Sequence, residues 1–380
     1  MHEHKHNQCK RKVKHRKNVM KLIIFCITVG ISLMFIYYQN LRKEIDARQK
    51  WLETVLTGEK KWILENQGPE GEFYMNGSKA GDVNPYFACM AALGLLAETK
   101  NCPITETEKK AVGRYLDWHT GILLETDGKM GIYRKKSGKL IYKEKADSED
   151  GYLGMYLFLM GKYLEKTEST DLPEYWKKGI SLALKKIQSL MQDGITQVSE
   201  ENTTVYLMDN LEVWKGLYEL EHAGLKDVQA IREMRNKLQA QIEKLFWDDA
   251  NQRWRIIENS DLYHQKEFYP DGVAQIYPLI YEFPVKEKKK QKILYEQFTE
   301  RFQWQKLTKK RNGFLWAMTG MAAAQMGDIN NLLEMIRNYE AEYCENRKYP
   351  LYTGEAGWIC MECEKLYSLY ERKIKTGFLV

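Results

Sequence analysis

Proline occupies only 8 of the 380 positions, and the 7 cysteines are scattered. With 44% hydrophobic and 12% aromatic residues beside that scarcity, the composition is that of an ordered chain able to bury a large core. Cys360 and Cys363 have a CxxC spacing, but no second CxxC or paired histidine accompanies them, which excludes a zinc site and leaves them as small buried hydrophobes. Outside the N-terminal tail the only histidines are His119, His222 and His264, too far apart in sequence to read as a ligand set. Neither a P-loop nor a GxGxxG opening a helix is found, so no metal, nucleotide or flavin cofactor is expected. Strand-like alternation is nearly absent between residues 42 and 372, and so is any repeat of fixed period, which argues against an α-solenoid. The net charge of +6 is no nucleic-acid footprint: residues 1–21 carry eight Lys or Arg against Glu3, and the remainder is close to neutral.

One long hydrophobic run is present. Leu22 to Tyr38 reads LIIFCITVGISLMFIYY, uncharged and of the length that crosses a bilayer core as a helix. The cluster Lys10, Arg11, Lys12, Lys14, Arg16, Lys17 and Lys21 outweighs Arg42 and Lys43 beyond it, so the positive-inside rule keeps the N-terminus in the cytoplasm. The run ends in Tyr37-Tyr38-Gln39-Asn40 without a small-residue cleavage pattern, which favours an uncleaved anchor over a signal peptide. The expected organisation is a basic cytoplasmic tail (1–21), a membrane anchor (22–38) and an extracytoplasmic domain (39–380).

Helical periodicity predicts twelve helices in that domain, near 43–66, 84–99, 105–119, 149–165, 173–192, 208–223, 226–246, 270–282, 285–302, 313–327, 329–342 and 354–372. They alternate in character. Odd-numbered helices are amphipathic, as in the fifth, where Trp176, Ile180, Ala183, Ile187 and Leu190 oppose Lys177, Lys178 and Lys185. Even-numbered helices are apolar nearly all round, as in Tyr152 to Met160, and too short to cross a membrane. A helix apolar on every side must be surrounded by protein, and the alternation is what a ring of inner helices inside a ring of outer ones requires. The expected fold is an all-α (α/α)6 toroid of twelve helices preceded by one transmembrane helix.

In such a toroid the inner helices run the same way and their openings converge at one end. Every even-helix opening holds an aromatic residue, and five of the six hold a carboxylate: Asp82 with Tyr86, Asp147 and Asp150 with Tyr152, Asp209 and Glu212 with Tyr206, Asp271 with Tyr269, Glu355 with Trp358, and Trp316 without an acid. Aromatic faces stack on sugar rings, and carboxylates bind hydroxyls or move protons. Acids at helix starts also serve as ordinary caps, and Glu149 and Glu212 read as structural members of the set, Glu212 lying inside its helix.

The order of these openings resembles the six-hairpin glycosidase superfamily, and more narrowly glycoside hydrolase family 8 and its relatives near bacterial exopolysaccharide synthesis genes. The resemblance spans roughly residues 50–372. It implies a general acid a few positions before the tyrosine that opens the second helix, where Asp82 precedes Tyr86, although Asp82-Val83 stands where the family has Glu-Gly. Glu72, on the preceding loop, is a substitute. The family's Asp-x-Asp-like sugar-contacting cluster resembles Asp147-Ser148-Glu149-Asp150. Family 8 implies inversion by two carboxyl groups roughly 6.5–9.5 Å apart. The expected assignment is Asp82 or Glu72 as acid and Asp209 or Asp150 as base. Asp147, Asp271 and Glu355 are expected to bind hydroxyls, and Tyr86, Tyr152, Trp316 and Trp358 to form a stacking platform. The expected substrate is a polysaccharide or oligosaccharide, with polysaccharide synthesis or export machinery as a partner. The alternatives are a catalytically silent carbohydrate-binding toroid, or a lyase or epimerase on the same fold.

Overall fold

The computed structural model describes residues 2–77, 81–136, 139–169, 171–260, 263–264, 266–307, 311 and 313–376. It divides into two units, residues 1–52 with 370–380, and residues 53–369. In the first, α1 (His2–Glu65) contains a stretch of mean hydropathy 2.2, long and apolar enough to cross a membrane, with none of it buried. Arg48 donates to the Tyr370 hydroxyl at 3.1 Å in the same unit.

The second unit carries the remaining helices, and all twelve expected helices are present. They are α2 (Pro85–Leu95), α3 (Glu106–Glu125), α4 (Glu149–Thr167), α5 (Glu174–Leu190), α6 (Leu207–His222), α7 (Gln229–Phe246), α8 (Val273–Ile280), α9 (Lys288–Phe302), α10 (Thr319–Met326), α11 (Ile329–Tyr339) and α12 (Thr353–Thr376), with α1 contributing its last turns. Local chemistry sets the starts. Asn84 accepts from the Tyr86 amide at 2.9 Å and Pro85 occupies the first turn of α2. Thr105 and Glu108 form a reciprocal capping box on α3, and Ser148 caps α4 from the Gly151 amide.

The even helices form the inner ring. Residues 149–161 of α4 are buried without a break, whereas α5 buries Trp176, Ile180, Ala183, Ile187 and Leu190 and exposes Lys177, Lys178 and Lys185. The ring runs α2, α4, α6, α8, α10, α12 and returns to α2. Glycine makes two of its contacts close enough. A Cβ on Gly154 of α4 would lie 2.7 Å from the Val213 amide of α6, and one on Gly94 of α2 would lie 2.4 Å from Gly357 of α12.

Two expectations are corrected. The tenth helix begins at Thr319 rather than 313, because Leu315, Trp316 and Ala317 turn their amides to a side chain instead of continuing a helix, and Trp316 takes a φ of 60°. Strands also occur in the connections: β1 (Asp82–Val83), β2 (Gly131–Lys136) and β3 (Lys139–Lys145) form one antiparallel sheet with β2 central, and β4 (Met191–Gln192) with β5 (Ile195–Thr196) and β6 (Trp247–Asp248) with β7 (Arg253–Trp254) form two ribbons. The β4–β5 ribbon turns on Asp193-Gly194, both at positive φ, a tight-hairpin pair that helical periodicity overlooks.

Candidate active site

All six inner-helix openings meet around one cavity of ≈ 370 Å³ within the second unit. Asn84, Tyr86 and Phe87 come from the start of α2, Asp147, Ser148 and Tyr152 from α4, and Met208, Asp209 and Glu212 from α6. Tyr269 precedes α8, Phe314 and Trp316 precede α10, and Glu355 and Trp358 lie in the first turns of α12. Aromatic rings wall the cavity. Tyr86 and Tyr152 stand 5.5 Å apart, Phe87 stacks on Phe314 at 5.3 Å, and Tyr269 leans on Trp316 at 4.7 Å. No basic side chain is among the described lining residues.

Glu212 sits at the centre of a tyrosine cluster. Its Oε1 accepts from the hydroxyls of Tyr277 (2.6 Å), Tyr281 (3.3 Å) and Tyr86. Burial pushes its carboxyl up to about 7, and the tyrosine hydroxyls only partly offset that. The purely structural role read from sequence does not describe it: it is the sixth residue of α6, one turn beyond Asp209, and both face the cavity. A signal was present in Tyr277 and Tyr281, spaced by four on an apolar helix, but nothing in sequence ties that pair to α6.

Asp209 is held far above the ordinary aspartate range, first by burial and then by the charges of Asp150 and Glu212. Asp150 is fully buried and does not line the cavity. Ser148 donates to its Oδ1 at 2.8 Å and Thr196 to its Oδ2 at 2.7 Å, so it ties α4 to β5, and burial raises its carboxyl. Glu355 Oε1 accepts from the amides of Leu315 and Trp316, each at 3.1 Å, and Oε2 from Ala317 at 2.8 Å. Those three donors favour the ionised form, but burial outweighs them and pushes the group up to about 7.

Among the expected residues, Tyr86, Asp147, Tyr152, Asp209, Trp316, Glu355 and Trp358 are therefore gathered around the cavity. Asp82, Glu72, Asp150 and Asp271 are not in its lining. Asp82 lies on β1, paired with Arg134 (2.5 Å) and Lys143 (2.9 Å), whose donors hold its carboxyl below the usual range. Glu72 is buried, accepting from the Tyr74 hydroxyl at 2.8 Å and the Glu70 amide at 3.0 Å. Asp271 is buried and accepts from the His264 amide at 2.7 Å. Among the described residues no group of three or more His, Cys, Asp or Glu is arranged to hold a metal ion.

No protein-family model matches the chain, and no curated protein matches it in sequence. Solved structures match its fold. A glycosidase described as wild type superposes over 87% of this chain and 98% of its own, with a TM-score of 0.57 and 11% identity. A D-mannose isomerase does so over 84% of this chain and 97% of its own, with a TM-score of 0.54 and 11% identity. A GH76 α-mannanase from Bacteroides thetaiotaomicron covers 85% and 97%, with a TM-score of 0.50 and 10% identity. None of these three is described as a family 8 enzyme. At such identities the shared property is architecture, and the chain has the twelve-helix (α/α)6 fold of the six-hairpin glycosidase type.

Proposed function

We propose that this chain is a glycoside hydrolase acting on a neutral sugar unit of a polysaccharide or oligosaccharide. The observation that carries this reading is the meeting, in one aromatic-walled cavity, of two buried glutamates from α6 and α12, each with its carboxyl pushed up to about 7. In a ring of six, α6 and α12 stand three places apart, so the two acids arise from facing walls, the arrangement that direct displacement by water across the sugar ring requires. Glu212 is the acid: the tyrosine hydroxyls occupy Oε1, and Oε2 carries the proton to the leaving oxygen. Glu355, with three amide donors, is the carboxyl best able to hold negative charge and to activate water. Asp209 and Asp147 hold hydroxyls, and Trp316, Trp358, Tyr86 and Tyr152 supply stacking faces. Support also comes from the folds compared above, two of them described as glycosidase and mannanase. A lyase acting on uronates needs a cation beside the substrate carboxylate, and there is none among the described residues that line the cavity.

The apolar helix serves in this reading as a cell-membrane anchor with a cytoplasmic N-terminus, which sets the catalytic domain outside to trim polymer being exported. Incubating the full chain in detergent with neutral glucans, xylan and mannan, and following new reducing ends, tests the activity. Glu212→Gln and Glu355→Gln are each expected to lower turnover by about 10²–10⁴-fold, the usual worth of a general acid or base. Full turnover in both variants would refute the assignment.

A further inference from the structure

Among the described residues of the second unit, the large apolar side chains left exposed are Ile141, Tyr142, Ile293, Tyr269 and Tyr349. Single exposed apolar residues are normal on a folded surface and call for no partner. That accounts for Ile141 and Tyr142 on β3 and for Ile293 on the outer helix α9. Tyr269 and Tyr349 differ. Each precedes an inner helix, α8 and α12 respectively, and so stands at the end of the toroid where the cavity opens.

A continuous row of rings joins them. Tyr269 leans on Trp316 at 4.7 Å, Trp316 meets Phe314 at 6.1 Å, Phe314 meets Tyr352 at 5.6 Å, and Tyr352 meets Tyr349 at 6.1 Å. The first three line the cavity. Tyr352, which also touches Phe87 at 6.2 Å, and Tyr349 carry the row beyond that lining, and exposure reaches 57% at Tyr349. The row is held in place. The Trp316 indole N–H donates to the Arg311 carbonyl at 2.9 Å. Gly313 has a φ of 80°, and a Cβ there would lie 2.8 Å from the Tyr349 hydroxyl, so only glycine lets that hydroxyl seat against the approach to α10. The other side of the mouth, from α4 and α6, is polar, with Asp147, Ser148 and Asp209.

We propose that Tyr349 and Tyr352 form a stacking subsite for a further sugar unit of the glycan whose reacting unit occupies the cavity. The inference rests on the glycosidase reading and makes its substrate a chain, with one unit inside and another on the rim. A cavity of ≈ 370 Å³ cannot enclose a polymer, so the rest of a bound chain leaves over the rim, and from α8 to α12 that rim is this row of rings. A neutral sugar sets its C–H face on a ring and keeps its hydroxyls in water, so it covers a half-exposed tyrosine without stranding polar groups.

The test uses oligosaccharides of increasing length cut from whichever of neutral glucan, xylan or mannan the full chain turns over in detergent. In the wild type kcat/KM should rise from the shortest oligosaccharide turned over to the longest, and in Tyr349→Ala that ratio should fall about tenfold, the loss of one stacking ring. A ratio is unaffected by any misfolded fraction, and Tyr349→Phe, which keeps the ring, should keep it. An unchanged ratio in Tyr349→Ala, or an equal fall in Tyr349→Phe, overturns the inference and leaves the hydrolase reading standing. Retention of the wild type but not of Tyr349→Ala by one of these polymers in affinity electrophoresis, with turnover of none, overturns the hydrolase reading and leaves the subsite. Neither retention nor turnover overturns both. Weaker self-association of Tyr349→Ala in sedimentation, with the ratio unchanged, overturns the inference in favour of a second copy of the chain on this rim.

Discussion

The raised carboxyls of Glu212 and Glu355 make the stability of the toroid fall with pH in a defined window. Each group has an ordinary value of 4.5 and a folded value of about 7, with burial as the cause. A carboxyl that binds its proton more tightly when folded contributes stability that is complete below the unfolded value and is lost as pH rises through the folded one. The decline therefore runs from pH near 4.5 to somewhat above 7, and each glutamate accounts for roughly 3 kcal/mol at its end. Glu212→Gln removes the charge and keeps one oxygen to accept from Tyr86, Tyr277 and Tyr281. At pH 5 the variant and wild type should unfold at nearly the same temperature, and at pH 9 the variant should unfold about 4 °C higher, given the unfolding entropy of a domain this size. Glu355→Gln should behave alike, and the double variant should remove both contributions, leaving the slope that Asp150, Asp209 and Glu362 supply, whose carboxyls burial also raises. Thermal unfolding by circular dichroism at intervals from pH 5 to 9 measures this. Parallel wild-type and Glu212→Gln curves across that range would show that Glu212 is ionised throughout, and with it would fall the assignment of Glu212 as proton donor.

Gly154→Ala should destabilise the domain by about 1–3 kcal/mol and lower kcat, because the added Cβ would meet backbone atoms of Glu212 and Val213 that cannot swing aside, as chemical denaturation and turnover will report. Asp82→Asn should cost under about 1 kcal/mol, since its ion pairs are partly exposed, and should leave turnover of a short neutral substrate within about twofold of wild type; a loss of a hundredfold or more would return the acid role to Asp82. Trp316→Ala should raise KM by about tenfold with a smaller change in kcat, the loss of one aromatic face at the cavity wall, measured by initial rates.

Much of the architecture was written in periodicity. The alternation between lysine-backed helices such as α5 and helices apolar all round such as α4 depends only on which faces meet water, and that preference is local to each helix. The inner-helix openings were legible for the same reason, and they supply Tyr86, Asp147, Tyr152, Asp209, Trp316, Glu355 and Trp358 to one cavity. Short strands were not: two-residue ribbons and a lysine-rich hairpin have too little apolar alternation to stand out from loop.

What sequence alone determined, then, is the hydrophobic segment suited to a bilayer, the two classes of helix and the convergence of their polar starts, since these follow from residue type and spacing. Tertiary structure decided which acids share the cavity, because a carboxylate at a helix start is chemically the same residue whether it caps, pairs or faces a substrate. Asp82 and Tyr86 are four residues apart, yet β1 gives one to Arg134 and Lys143 while α2 gives the other to Glu212. Glu212 meets Tyr277 and Tyr281 across 65 and 69 residues of chain, and only closing the ring brings burial and those hydroxyls to bear on one carboxyl.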